Sequence, residues 1–199
     1  MSSINYYNQY AETYIKSTFR ADMSLILEQF VQHIPSGGRI LDLGCGSGRD
    51  SLWFKSRGYS IIALDGSESM IQHCKKYLLA DEMVHSRFET YHTDLKFDGI
   101  WACASLLHIS RDALPQLIQK YVGYLNPHGV FFMSFKSGKE DTIVDGRTFT
   151  NFTKETLSRL LSKVHLIDIV TFIHTQDVRE EREKERWISV IVKKSIFKP

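Results

Sequence analysis

Residues 40–50 read Ile-Leu-Asp-Leu-Gly-Cys-Gly-Ser-Gly-Arg-Asp. Apolar Ile40, Leu41 and Leu43 flank an acid at Asp42, and glycines follow at 44, 46 and 48. This is the pattern of a buried strand that ends in a turn where the backbone must pass close to something bulky. Glycine permits both the unusual dihedrals and the close approach. A helix is expected from about Arg49 to Ser56, which makes the stretch a strand–turn–helix unit.

The pattern repeats in both directions. Upstream, Met23, Ile26, Leu27, Phe30, Val31 and Ile34 keep the spacing of an amphipathic helix, ended by Pro35, Gly37 and Gly38. Downstream, a strand over 60–64 ends at Asp65, and Ser67 is placed to cap a helix that turns Met70, Ile71, Cys74 and Leu78 inward. A short strand is expected near 87–90 and a buried one over 99–104. A helix capped by Ser110 carries Leu114, Leu117, Ile118, Tyr121, Val122 and Leu125. The turn Asn126-Pro127-His128-Gly129 leads to a strand over 130–135, and a helix covers 153–163. Two apolar segments, 166–173 and 187–192, flank the mixed-sign run 179–186, which reads as a solvated hairpin with local ion pairs.

Strands alternating with helices imply an α/β fold with a parallel sheet between helical layers; two strands together at the end imply an antiparallel addition at one edge. No repeat or Pro/Gly/Ser-rich linker divides the 199 residues, so one domain is expected, with 1–35 as an N-terminal helical lid segment and 36–199 as the core. A net charge of +2 argues against a strongly electrostatic nucleic-acid binder. No basic-then-apolar leader and no apolar run of membrane-spanning length stand out. Cys45, Cys74 and Cys103 form no Cys-x-x-Cys pair and fit reduced thiols. The expectation is a cytoplasmic protein, monomer or homodimer, without a metal or membrane partner.

An open parallel sheet binds ligands beyond the carboxyl ends of its strands, where the first strand turns into its helix. The dinucleotide fingerprint needs a small residue five positions after its first glycine, and counting from Gly44 that place holds Arg49. A phosphate group at this helix start would also meet the negative charge of Asp42, whereas a cationic ligand would be favoured by it. Asp65 follows Gly44 by 21 residues, at the expected end of the second strand. It suits ribose hydroxyls without choosing between cofactors, a helix-capping Asp ahead of Ser67 being the lesser alternative.

With its acid and its Gly-x-Gly-x-Gly spacing, the stretch resembles the first motif of the class I S-adenosylmethionine-dependent methyltransferases. That resemblance implies a three-layer Rossmann-like sandwich with a seven-stranded, mostly parallel sheet in the order 3-2-1-4-5-7-6, strand 7 antiparallel. It implies S-adenosylmethionine as cofactor and S-adenosylhomocysteine as product. Asp42, Gly44, Cys45, Gly46, Ser47 and Gly48 then hold the methionine end, and Asp65, Gly66 and Ser67 the ribose. Met70, Phe88, Glu89, Ser105 and Leu106 take the adenosine side, Met70 being equally at home in a core. Tyr6, Tyr7, Tyr10 and Tyr14 resemble the segment that closes over the cofactor, Tyr14 following Ala11 as Ala-x-x-Tyr; helix packing would explain the same aromatics.

His108, in Ser105-Leu106-Leu107-His108 at the end of the fourth main strand, is the candidate general base. The competing role is a histidine that orders its loop. Lys136 and Arg147 are candidates for holding an anionic group of a small substrate, since arginine offers a fork to carboxylate or phosphate; ion pairing of Arg147 with Asp141 or Asp145 is the alternative. The Asn/Asp-Pro-Pro-Tyr/Phe motif of base- and amide-methylating enzymes is absent: the strand runs into Ala104-Ser105-Leu106-Leu107. A small-molecule substrate is favoured over RNA, and a non-catalytic cofactor-binding protein is the remaining alternative.

Overall fold

The computed structural model describes residues 2–79, 82–179 and 182–196. Two short helices, α1 (Ser3–Gln9) and α2 (Ala11–Thr18), precede the amphipathic α3 (Ser24–Val31). Then strands and helices alternate: β1 (Arg39–Leu43), α4 (Arg49–Ser56), β2 (Ser60–Asp65), α5 (Glu68–Cys74), β3 (Met83–His85), β4 (Phe97–Ala102), α6 (Leu114–Tyr124) and β5 (Leu125–Lys136). A small hairpin, β6 (Thr142–Val144) with β7 (Arg147–Phe149), leads to α7 (Lys154–Leu161) and the final pair β8 (Ile167–Gln176) and β9 (Arg186–Lys194).

Seven strands form the main sheet in the order β3-β2-β1-β4-β5-β9-β8. The strands up to β5 pair in parallel; β9 runs antiparallel to both β5 and β8. With the separate β6–β7 hairpin set aside, this is the expected order.

Both faces of the sheet are covered, and β1 shows how the alternation of side chains achieves it. Leu41 and Leu43 point into the layer built with Leu114, Ile118 and Leu157 of α6 and α7. Ile40 points into the opposite layer, with Phe30 of α3, Phe54 of α4 and Ile71 of α5. In that layer Trp101 stacks on Phe132 with centroids 3.9 Å apart, and Phe30 lies 5.1 Å from Trp101.

Three expectations need correction. The short third strand is Met83–His85, not 87–90, which forms a turn. Its three residues pair with Ala63–Asp65, too short a run to carry a readable period. The helix expected to be capped by Ser110 begins at Leu114, with Pro115 in its first turn, where a missing N–H costs nothing. The Ser110 carbonyl instead accepts from Ala113 and Leu114 N–H. The hairpin Thr142–Phe149 has no counterpart in the expected strands. Of the charged run 179–186, Glu180 and Glu181 lie outside the described residues.

Gly99 of β4 has its place because a Cβ there would lie 2.4 Å from Ile34 Cδ1 and 2.8 Å from Phe30 Cζ. Gly99→Ala is therefore expected to cost about 1–3 kcal/mol of stability. Thermal unfolding should show a melting temperature lower by about 2–12 °C; an unchanged value would mean that α3 yields freely.

Candidate functional site: two cavities at the carboxyl edge of the sheet

The ends of β1, β2 and β4 are fastened to one another. Gly44, Gly46 and Gly48 all have positive φ (86°, 53° and 77°), a region costly for other residues. The N–H groups of Gly44 and Cys45 both donate to the Leu64 carbonyl of β2, at 2.8 and 3.0 Å. Ser105 Oγ, just past β4, donates to the Leu43 carbonyl at 2.5 Å. A Cβ on Gly44 would meet that of Ser105 at 2.4 Å, so the close approach requires glycine. The Gly46 N–H donates to Asp65 Oδ2 and the Ser67 N–H to Asp65 Oδ1, each at 2.8 Å.

Over these ends lies a cavity of ≈ 300 Å³. Among the residues expected to hold a cofactor, Tyr14, Gly44, Gly46, Asp65, Gly66, Ser67, Met70, Phe88, Glu89 and Ser105 line it, and so does His108. The remaining five sit behind its wall. Asp42 is buried and accepts from Ser51 Oγ at 2.6 Å. Burial, together with the nearby Asp50 carboxylate, pushes its pKa up. Cys45 is buried, and the hydrogen-bonded Cys74 thiol and burial hold its own thiol well above the usual range. Ser47 accepts from Thr18 Oγ1 at 3.4 Å, Gly48 caps α4, and Leu106 is enclosed in the core.

The cavity fits a nucleoside bearing a cationic tail. Asp65 keeps lone pairs beyond those taken by the two backbone N–H groups, and Met70 and Phe88 supply apolar walls for a flat base. Burial raises the pKa of Asp65, and its backbone hydrogen bonds oppose that rise. A pyrophosphate, by contrast, would face the carboxylates of Asp42, Asp50 and Asp65 grouped around the turn.

A second cavity, ≈ 420 Å³, lies beside the first and shares Tyr7, Tyr14, Cys103 and Ala104 with it. Ala104 at this shared wall has φ of 52°, a conformation held in place as its N–H donates to Ser134 Oγ at 2.7 Å. Lys136 and Arg147 both line this second space. Lys136 Nζ lies 2.6 Å from Glu185 Oε2. The Arg147 guanidinium stacks 3.6 Å over the Tyr6 ring, and one of its nitrogens lies 3.2 Å from the exposed Asp145. Asp141 is taken instead by Arg111.

His108 is held from both sides. Its Nδ1 lies 2.9 Å from the Thr148 carbonyl, which can only accept, so Nδ1 carries the proton. Nε2 therefore accepts from the Tyr7 hydroxyl at 2.9 Å. Burial pushes the imidazole pKa down to about 4, with Arg147 and Lys136 adding to the fall. Tyr7 itself is pushed up by burial, against the neighbouring Arg147.

Sequence reading did not single out Cys103, Arg49 or Arg179 as site residues, and it placed Tyr7 only within the segment expected to close over the cofactor. Only the four-residue repeat of tyrosines along 6–14 hinted that α1 and α2 present a face to the sheet. The seating of α1 comes from partners far along the chain: Ser67 Oγ donates to Asn8 Oδ1 at 2.7 Å, and Tyr7 meets His108.

The first cavity lies at the carboxyl edge of a Rossmann-like α/β sheet, with the second alongside. Residues 40–129 match the family described as a methyltransferase domain. A malonyl-[acyl-carrier protein] O-methyltransferase of Erwinia pyrifoliae is 30% identical over 115 residues, covering 56% of this chain and 43% of that protein. The mitochondrial ubiquinone biosynthesis O-methyltransferase of Schizosaccharomyces pombe is 32% identical over 108 residues, covering 50% and 38%. The chain thus spans less than half the length of these curated relatives. Among solved structures, the 1,6-didemethyltoxoflavin-N1-methyltransferase of Burkholderia thailandensis, with its substrate and S-adenosylhomocysteine bound, superposes with a TM-score of 0.77 at 18% identity, covering 98% of this chain and 92% of that one. Over residues 40–129 the chain thus resembles the methyltransferase-domain family, and its fold is that of a methyltransferase solved with S-adenosylhomocysteine bound. No described helix is long and apolar enough to cross a membrane.

The histidine gives a pH test. Its folded pKa, about 4, lies below the ordinary 6.5, so the unfolded chain takes up the proton first. Stability contributed by neutral His108 is complete above about pH 6.5 and is lost as pH falls towards 4. NMR should find this imidazole neutral at pH 6, and His108→Gln should flatten the acid side of the melting curve. A ring titrating near 6.5 would contradict the described hydrogen bonds.

Proposed function

We propose that the protein transfers a methyl group from S-adenosylmethionine to a small-molecule acceptor bearing an anionic group. The observation that carries this is the pair of adjoining cavities meeting at Tyr7, Tyr14, Cys103 and Ala104. The glycine turn, Asp65 and the Met70–Phe88 walls hold the cofactor in the first, and the acceptor occupies the second. The cofactor supplies an electrophilic methyl on sulfur. The chain's own residues align the acceptor behind it and exclude water, which contributes on the order of 7–11 kcal/mol in well-oriented reactions.

Charge and size support a small anionic acceptor. Lys136 and Arg147 stand at the second cavity, and the tyrosines of α1 and α2 wall it on the N-terminal side. The relatives named above methylate oxygen or nitrogen of quite different substrates, so their identities do not transfer.

Thermal unfolding with S-adenosylmethionine, S-adenosylhomocysteine and NAD, each at 100 times its dissociation constant, tests the cofactor. A stabilisation of about 2.7 kcal/mol is expected with the first two, or roughly 5–11 °C for a chain of this size. A shift with NAD alone would refute the reading. Asp65→Ala should abolish the shift. Isotope-labelled cofactor with a metabolite extract and, separately, total RNA tests the acceptor: Arg147→Ala should lower transfer to metabolites while cofactor affinity stays near wild type. Equal loss of both, or label in RNA alone, would overturn the assignment of the second cavity.

A further inference from the structure

The cations of the second cavity are not equivalent. Arg49 grips Asp50 with two nitrogens, at 2.6 and 2.9 Å, and Arg179 grips Asp177 likewise, at 2.8 and 2.5 Å. Lys136 and Arg182 both face Glu185, at 2.6 and 3.4 Å. Arg147 differs. Its side chain is only 11% exposed, its one carboxylate neighbour stands at 3.2 Å and is 62% exposed, and its buried Nε–H has no partner. Among the described residues it is the only arginine with such an orphaned group. An unmatched donor in a buried guanidinium is costly, and a ligand oxygen would offset that cost.

Its position matters as much as its charge. Residues 146–148 run between the two cavities: Gly146 and Thr148 line the first and Arg147 the second. The guanidinium lies 5.7 Å from the centroid of the Tyr7 ring, and Tyr7 belongs to the shared wall. An anion bound by Arg147 is thus held next to the partition that the methyl must cross, not at the far end of the acceptor.

The same partition lacks a free base. His108 Nε2 is occupied by the Tyr7 hydroxyl, and its Nδ1 by Thr148. Burial raises the pKa values of Tyr7, Tyr14 and Cys103 alike, that of the last to about 12. None of the four residues that both cavities share, Tyr7, Tyr14, Cys103 and Ala104, offers a ready base, and the carboxylates of the second cavity, Asp145, Asp177 and Glu185, each stand beside a cation. An acceptor that arrives already ionised needs no base.

Resting on the methyl-transfer reading above, we propose that the anion held by Arg147 is itself the nucleophile: the acceptor is a carboxylate, and the product is its methyl ester. One carboxylate oxygen accepts from the Arg147 fork while the other forms the new bond to the methyl carbon as the bond from that carbon to sulfur breaks. The electron pair of the broken bond stays on sulfur. The carboxylate charge and the sulfonium charge cancel, and no proton moves.

Methyl esters release methanol in mild alkali, whereas methyl ethers and methylamines do not. Full-length protein, methyl-labelled S-adenosylmethionine and a small-molecule extract should therefore give protein-dependent label that is recovered as volatile methanol after alkali. Arg147→Gln should lower that label about 10- to 100-fold, with Arg147→Lys intermediate. In both variants the melting shift produced by S-adenosylhomocysteine should match wild type, which excludes misfolding. Alkali-stable label would overturn the carboxylate proposal and leave methyl transfer standing. Undiminished methanol from Arg147→Gln would overturn the role of Arg147. A protein that binds S-adenosylhomocysteine yet labels nothing would overturn both readings.

Discussion

The structure hangs on the Leu64 carbonyl, which receives two backbone N–H groups from the turn after β1. A carbonyl with two donors fixes the path of the chain just where side chains would obstruct it. From there the constraint spreads through single bonds: Ser105 ties β4 to the Leu43 carbonyl, and Asp65 ties β2 to Gly46. Three neighbouring strands thus end in register. The left-handed glycines are the backbone cost of this arrangement, and the cavity above them is its consequence.

Beneath the same turn lies a charged layer that water does not reach freely. Asp42 bonds Ser51, while Asp50 receives Arg49 and the Trp101 indole N–H at 2.8 Å. Buried carboxylates are tolerated when each is hydrogen-bonded, and here the partners come from the first turn of α4 and from β4. Asp42 lies behind the glycines and does not line the cavity.

What the sequence made legible follows from how local each signal is. The strands β1, β2, β4, β5 and β9 are mostly apolar because both sheet faces are covered, and α3 and α6 keep a full helical period. Gly44, Gly46 and Ser105 are placed by the resemblance of their motifs, and Asp65 by its position at the end of the second strand. The rest depended on partners remote in sequence. β3 has three residues and no buried side chain, and α1 has none either. β6 is fully exposed. Nothing within residues 142–149 signals that Arg147 packs on Tyr6, or that Thr148 will hold a histidine forty residues away.

That histidine shows why a residue type is a weaker guide than its two hydrogen bonds. From sequence, His108 at a strand end is a reasonable base. In the fold, Thr148 fixes its tautomer, Tyr7 fills its remaining lone pair, and Arg147 and Lys136 oppose a second proton. Its neutral ring instead orients the Tyr7 hydroxyl, while Tyr6 and Tyr7 both meet the Arg147 guanidinium. One imidazole, two tyrosines and one arginine thus join α1, the turn after β4 and β7 into a single wall between the cavities. α1, which buries no residue of its own, is fastened to the sheet edge through Tyr6 on Arg147 and Tyr7 on His108.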